Sequence, residues 1–87
     1  MTEKKLLQFP CRFPIKVMGR ADATLEGELL TIVRRHVPDL GEGAITQRPS
    51  RKGNYLAFTI TINAQSQQQL DNLYRELHAH AQVVMVL

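Results

Sequence analysis

Apolar and small polar side chains alternate without interruption from Tyr55 to Asn63. Leu56, Phe58, Ile60 and Ile62 fall on one side, and Tyr55, Ala57, Thr59 and Thr61 fall on the other. Branched and aromatic residues dominate the run, which predicts a central strand with one face buried. Ser50 to Gly53 precedes it as a turn, with Gly53 placed for the positive φ of a hairpin. Ala44 to Pro49 reads as the strand before that turn. It is polar and ends in proline, so it belongs at a sheet edge.

A shorter alternating run, Phe13 to Met18, sets Phe13, Ile15 and Val17 against Pro14, Lys16 and Met18. Gly19 closes it at a tight turn or a close backbone approach. Between this strand and the edge strand, Leu25, Leu29, Ile32, Val33 and Val37 recur at helical spacing. Asp22 is the expected cap and Pro38 the stop. Gly27 lies inside this helix and suggests close packing. A second helix starts near Ser66, where Ser66 and Gln69 form a capping-box pattern, and its stripe is Leu70, Leu73, Tyr74, Leu77 and Ala81. A final strand, 82–87, is apolar on both faces.

The order strand-helix-strand-strand-helix-strand predicts an α+β ferredoxin-like βαββαβ sandwich, a four-stranded antiparallel sheet with two helices on one face. Strands one and three are then central. The expected core is Ile15, Val17, Phe58, Ile60, Leu29, Val33, Leu73 and Leu77. Residues 1–12 read as an N-terminal arm and residues 13–87 as a single domain. Phe9 and Leu6 are candidates to fold over part of the open sheet face.

The chain of 87 residues is 44% hydrophobic, enough for one modest core. One cysteine permits no internal disulfide, and neither a signal-peptide core nor a membrane-length apolar run stands out, so a cytoplasmic location with no membrane partner is expected. The net charge of +3 is unevenly placed. Asp22, Glu26, Glu28, Asp39 and Glu42 make the first helix region acidic, whereas Lys16, Arg48, Arg51 and Lys52 make the first strand and the hairpin basic.

Little in this inventory resembles catalytic chemistry. Cys11 lies beside Arg12 but has no base at a set distance, and reads as a half-buried anchor. His78 and His80 point about 200° apart on a helix and suit no metal. His36 is placed to meet the terminal carbonyls of its helix. Gly41-Glu42-Gly43 leads into a strand, so it is no phosphate loop. No cofactor or metal is expected. RNA-recognition domains share the topology and place aromatics on the open face of strand three. Here Tyr55 alone faces outward, since Phe58 has the parity of the buried face, and the stacking platform is mostly missing.

Several segments together resemble the YbeD-like family of small bacterial proteins of unknown function. They are Lys16-Val17-Met18-Gly19, Arg35-His36, the run Pro49, Ser50, Lys52, Gly53, Asn54 and Tyr55, Ile60 to Ala64, and Met85-Val86-Leu87. The resemblance implies an ACT-like, ferredoxin-like fold, a regulatory role with a small-molecule effector or a protein partner, and a lipoate-related metabolic context. It carries over no catalytic residue. The residue reading and the resemblance meet on one expected contact region: Lys16, Met18, Gly19, Arg51, Lys52, Gly53, Asn54 and Tyr55. Basic groups would supply charge there, and glycines would let backbone approach. The alternatives are an RNA-binding protein using the basic hairpin and sheet face, and a structural homodimer through the sheet face or strand 82–87.

Overall fold

The computed structural model of the protein describes residues 8–87, so the expectation for Leu6 lies outside the described residues. The elements are β1 (Cys11–Arg20), α1 (Leu25–His36), β2 (Ile45–Pro49), β3 (Tyr55–Ala64), α2 (Gln67–Ala79) and β4 (Val83–Val86). The sheet order is β2-β3-β1-β4 with every neighbour antiparallel. This is the ferredoxin-like α+β sandwich that the order of elements predicts.

Alternation decides the layering. Ile15 and Val17 of β1 and Phe58, Ile60 and Ile62 of β3 are buried against Leu25, Leu29, Ile32 and Val33 of α1 and Leu70, Leu73 and Leu77 of α2. All eight expected core residues are among them. Phe13 and Cys11 share the β1 parity and pack half-buried against this cluster, Phe13 edge-on to Tyr74 with ring centroids 6.5 Å apart. Phe9 also packs against the core cluster, so it does not roof the open face.

β1 is longer than the alternating run at both ends. Gly19 lies inside it, where β1 and β4 shift register between Met18 and Gly19. A Cβ on Gly19 would stand 2.5 Å from Leu25 Cδ2 and 2.9 Å from the Gln82 carbonyl oxygen, so the glycine permits a close approach of β4 to β1. At the hairpin Gly53 has φ 78°, as its place in the turn requires.

Three local expectations are corrected. Thr24, not Asp22, occupies the N-cap of α1; Asp22 instead accepts from the Thr24 backbone N–H at 2.8 Å and from its hydroxyl at 2.7 Å. The Ser66 hydroxyl does accept from the Gln69 N–H at 3.1 Å, but the Gln69 side chain accepts at Oε1 from the Gln65 N–H at 2.7 Å and donates from Nε2 to the His36 backbone carbonyl at 2.8 Å. Half of the capping box is thus spent on joining α2 to the end of α1. Ala81 continues the apolar spacing of α2 but lies exposed beyond its end. His80 leaves the helix with ψ 130°, and its Nδ1 accepts from the Gln82 N–H at 3.0 Å.

Gly27 is the remaining surprise. Nothing lies within 4 Å of a Cβ built there, so it serves no close packing. Gly27 is the third residue of α1, exposed in its first turn, and the interior cost of glycine relative to alanine, roughly 0.8–1 kcal/mol, is the upper bound there. Gly27→Ala should therefore raise the unfolding free energy by up to that amount in urea titration, and an unchanged midpoint would contradict it.

Candidate functional site

The helix-free face of the sheet is built from the polar half of each alternation. Two rows of opposed residues cross it. Arg48, Ala57, Met18 and Met85 form one row. The second is Thr46, Thr59, Lys16 and Leu87, the last pair joined by Lys16 N–H to Leu87 O at 3.0 Å and Leu87 N–H to Lys16 O at 2.7 Å. These rows line a hollow of about 390 Å³. That volume is within the range of small-ligand sites, roughly 300–1,000 Å³.

Its chemistry is two-toned. Met18, Ala57 and Met85 make an apolar floor, while Lys16 on β1 and Arg48 on β2 stand on either side of β3, in neighbouring rows, with backbones about 12 Å apart. No Asp or Glu lines it, and neither cation enters a salt bridge among the described residues. The rim at Leu87 is held from beneath: the Tyr74 hydroxyl of α2 donates to the Leu87 carbonyl at 3.2 Å. Burial pushes the Tyr74 hydroxyl pKa above its usual value, which keeps that donor protonated.

Of the expected contact residues, the structure brings Lys16 and Met18 into this hollow. Arg51, Lys52, Gly53, Asn54 and Tyr55 sit at the hairpin end of the sheet and do not line it. Tyr55 opposes Arg20 on the open face there, and the Asn54 carbonyl accepts from Ala21 N–H at 3.0 Å. Gly19 has the opposite parity and faces the core layer. Thr46, Met85 and Leu87 were not among the expected residues. Register alone brings them in, although the apolar strand ending at Leu87 was the available signal.

The remaining polar clusters hold the helix layer together. Arg35 and His36, at the end of α1, both meet Glu76 of α2, His36 Nε2 at 2.7 Å. His36 therefore pairs with a carboxylate and not with the terminal carbonyls of its helix. Its hydrogen bond, with the charge of Arg35, holds the Glu76 carboxyl below its ordinary range. The Asp22 carboxyl is also held low, by the two bonds from Thr24. His80 Nδ1 is occupied as an acceptor, so its Nε2 carries the proton shared with Glu28 Oε1 at 2.6 Å. A second hollow, about 590 Å³, opens beside the α1–β2 loop, where Arg12 faces Asp39 and Glu42. It is larger, but one cation there stands against two carboxylates and it offers no single-signed recognition. No group of His, Cys, Asp and Glu among the described residues is arranged to hold a metal ion, and no helix there is long and apolar enough to cross a membrane.

A helix-backed antiparallel sheet with one open face defines an ACT-like, ferredoxin-like α+β domain. Solved structures agree. A solution structure of a protein from H. pylori superposes with TM-score 0.78 at 12% identity, covering 99% of this chain and 90% of that one. The crystal structure of the ACT domain from GTP pyrophosphokinase of Chlorobium tepidum superposes with TM-score 0.69 at 13% identity, covering 88% and 95%. Sequence comparison is more specific. The chain belongs to the family described as "Protein of unknown function (DUF493)", whose pattern matches residues 4–87. A UPF0250 protein of Nitrosomonas europaea is 45% identical over 87 residues, all of both chains. Another from Neisseria meningitidis serogroup C is 47% identical over 91 residues, again covering both chains completely. These relatives bear out the resemblance to the YbeD-like bacterial proteins.

Proposed function

We propose that this domain is a regulatory binding module and not an enzyme, and that the hollow on its open sheet face receives a small organic anion with an apolar body. One observation carries the reading. Lys16 and Arg48 flank an apolar floor of Met18, Ala57 and Met85, with no carboxylate side chain lining the space. Cations beside a methionine floor suit a carboxylate or phosphate joined to a short hydrocarbon portion. Lipoate, which belongs to the metabolic context that the YbeD-like resemblance implies, is one such anion. The ACT-like fold is compatible with regulation, since the same fold serves as the ACT domain of a GTP pyrophosphokinase.

The RNA alternative gains no support from the face. Phe58 is 1% exposed, and Tyr55 is the one exposed aromatic among the described residues. The test is an NMR titration of the full chain with lipoate and a panel of other organic anions. Shifts are expected at the Met18 and Met85 methyls and the Thr59 amide, and Lys16→Ala with Arg48→Ala should weaken them at least tenfold, about 1.4 kcal/mol. The reading fails if no anion moves these signals, or if the double variant binds as well as the parent.

A further inference from the structure

We infer that the open sheet face docks an acidic, amphipathic helical segment of a partner protein, with the hollow at its centre; the inference rests on the reading that this face is the binding face. Charge is sorted by layer in this molecule. The strands and the hairpin turn carry Arg12, Lys16, Arg20, Arg48, Arg51 and Lys52, and not one aspartate or glutamate. The carboxylates Asp22, Glu26, Glu28, Asp71 and Glu76 lie on the helices or at the start of α1, and Asp39 and Glu42 lie in the α1–β2 loop. The carboxylate–base pairs among the described residues, Arg35 and His36 with Glu76 and His80 with Glu28, belong to the helix layer. The cations of the sheet enter no salt bridge there, although Arg12 shares the second hollow with Asp39 and Glu42.

Alternation puts Arg12, Lys16 and Arg20 on the open side of β1, since Ile15, Val17 and Gly19 between them are buried. At ~3.3 Å per residue, Lys16 and Arg20 stand roughly 13 Å apart and Arg12 and Arg20 roughly 26 Å. The hollow spans only the Lys16–Arg48 part of that ladder. A ligand that uses Arg20 as well must be longer than a small molecule. Beside the ladder runs an apolar edge: Val84 is 47% exposed, Met85 45% and Leu87 69%. Cations next to an exposed apolar strip complement carboxylates next to an apolar stripe, which is the surface of an acidic amphipathic helix. About 17 residues of helix would match the 26 Å ladder.

The competing occupants fit less well. A second copy docked face to face would bring the same cations together, and like charges opposed across an interface are costly. A single RNA strand would find cations but only Tyr55 to stack on. A small anion in the hollow does not reach Arg20, Arg51 or Lys52, so the face extends beyond that ligand and can take a longer partner.

The test uses the full chain and four probes, read by NMR: a synthetic helix of about 18 residues with leucines at i, i+3, i+4, i+7 spacing flanked by glutamates, polyglutamate of equal length, oligouridylate, and lipoate. The amphipathic peptide should bind most tightly and shift Met18, Met85, Arg20 and Arg48 signals. Binding should fall about tenfold in Arg20→Glu and again about tenfold in Met85→Ser. It should also weaken steeply with added salt. The inference is overturned if polyglutamate binds as well as the peptide, if oligouridylate binds more tightly, or if the same signals shift with protein concentration alone through self-association. If lipoate shifts the Met18 and Met85 signals while Arg20→Glu leaves peptide binding unchanged, the docking inference falls and the small-anion reading stands. If no probe moves any open-face signal, both fall.

Discussion

Phe58→Ala should cost about 3–5 kcal/mol of unfolding free energy, the range for removing a buried aromatic ring. Phe58 is among the largest side chains in the core, is 1% exposed, and sits mid-way along β3 opposite Val17. Its ring reaches the layer where α1 and α2 meet the sheet, so the cavity left behind would be lined by groups from several elements and could not close by a local shift. A domain of 87 residues is stable by roughly 4–13 kcal/mol at ~0.05–0.15 kcal/mol per residue. The substitution would therefore remove a large share of the total and could leave a chain that is partly unfolded at 37 °C. Urea unfolding followed by circular dichroism would show it as a lower midpoint with an unchanged slope. A loss below about 1 kcal/mol would mean that the ring is not where the core needs it. The same experiment bears on the RNA reading. The phenylalanine of β3 lies on the buried face and offers no stacking surface, and the open-face positions after Tyr55 hold Ala57, Thr59 and Thr61.

The layering was legible because a sheet with one buried face must write its period into the sequence. Leu56, Phe58, Ile60 and Ile62 could not be shifted by one residue without turning the core outward. The helix stripes are legible for the same reason, and together they fix the strand order and the core. The hollow was less legible, because it is a product of register. Arg48 meets Ala57, Ala57 meets Met18, and Met18 meets Met85 only after four strands have paired and β4 has shifted at Gly19. Sequence reasoning joined Lys16, Met18 and Gly19 to the run Arg51 to Tyr55, whose residues are neighbours in the chain. The structure places that run at the end of the sheet and gathers the hollow from four strands. Local signals also misled where a tertiary bond outcompeted them. The apolar spacing continues to Ala81, but His80 turns its ring back to the Gln82 N–H and stops the helix first. Asp22 has the chemistry of a cap, yet its carboxylate is taken by Thr24.

Gly19→Ala should destabilise the domain by about 1–3 kcal/mol, the usual cost of forcing extra volume into a packed site. The added Cβ would meet two obstacles of different kinds. Leu25 Cδ2, at 2.5 Å, is the end of a side chain, but Leu25 is fully buried and has little room to turn. The Gln82 carbonyl oxygen, at 2.9 Å, is backbone and cannot rotate away. It is also committed: it accepts the Arg20 N–H at 2.9 Å, and its own residue is pinned by the bond from Gln82 N–H to His80 Nδ1. Relief must then come from moving β4 outward from β1, which would loosen the Val17–Val86 and Met18–Met85 pairs. Beside the expected role of Gly19 in ligand contact stands a structural one: the backbone it admits in the fold is that of β4. The two roles separate experimentally. A structural glycine predicts a lower urea midpoint together with shifts at Met85 and Leu87 in the absence of any ligand. A glycine acting only in ligand contact predicts an unchanged midpoint and a change confined to binding. Gly27→Ala supplies the internal comparison, since the same chemical change there should act with the opposite sign, the added methyl group meeting open space in one place and the β4 backbone in the other.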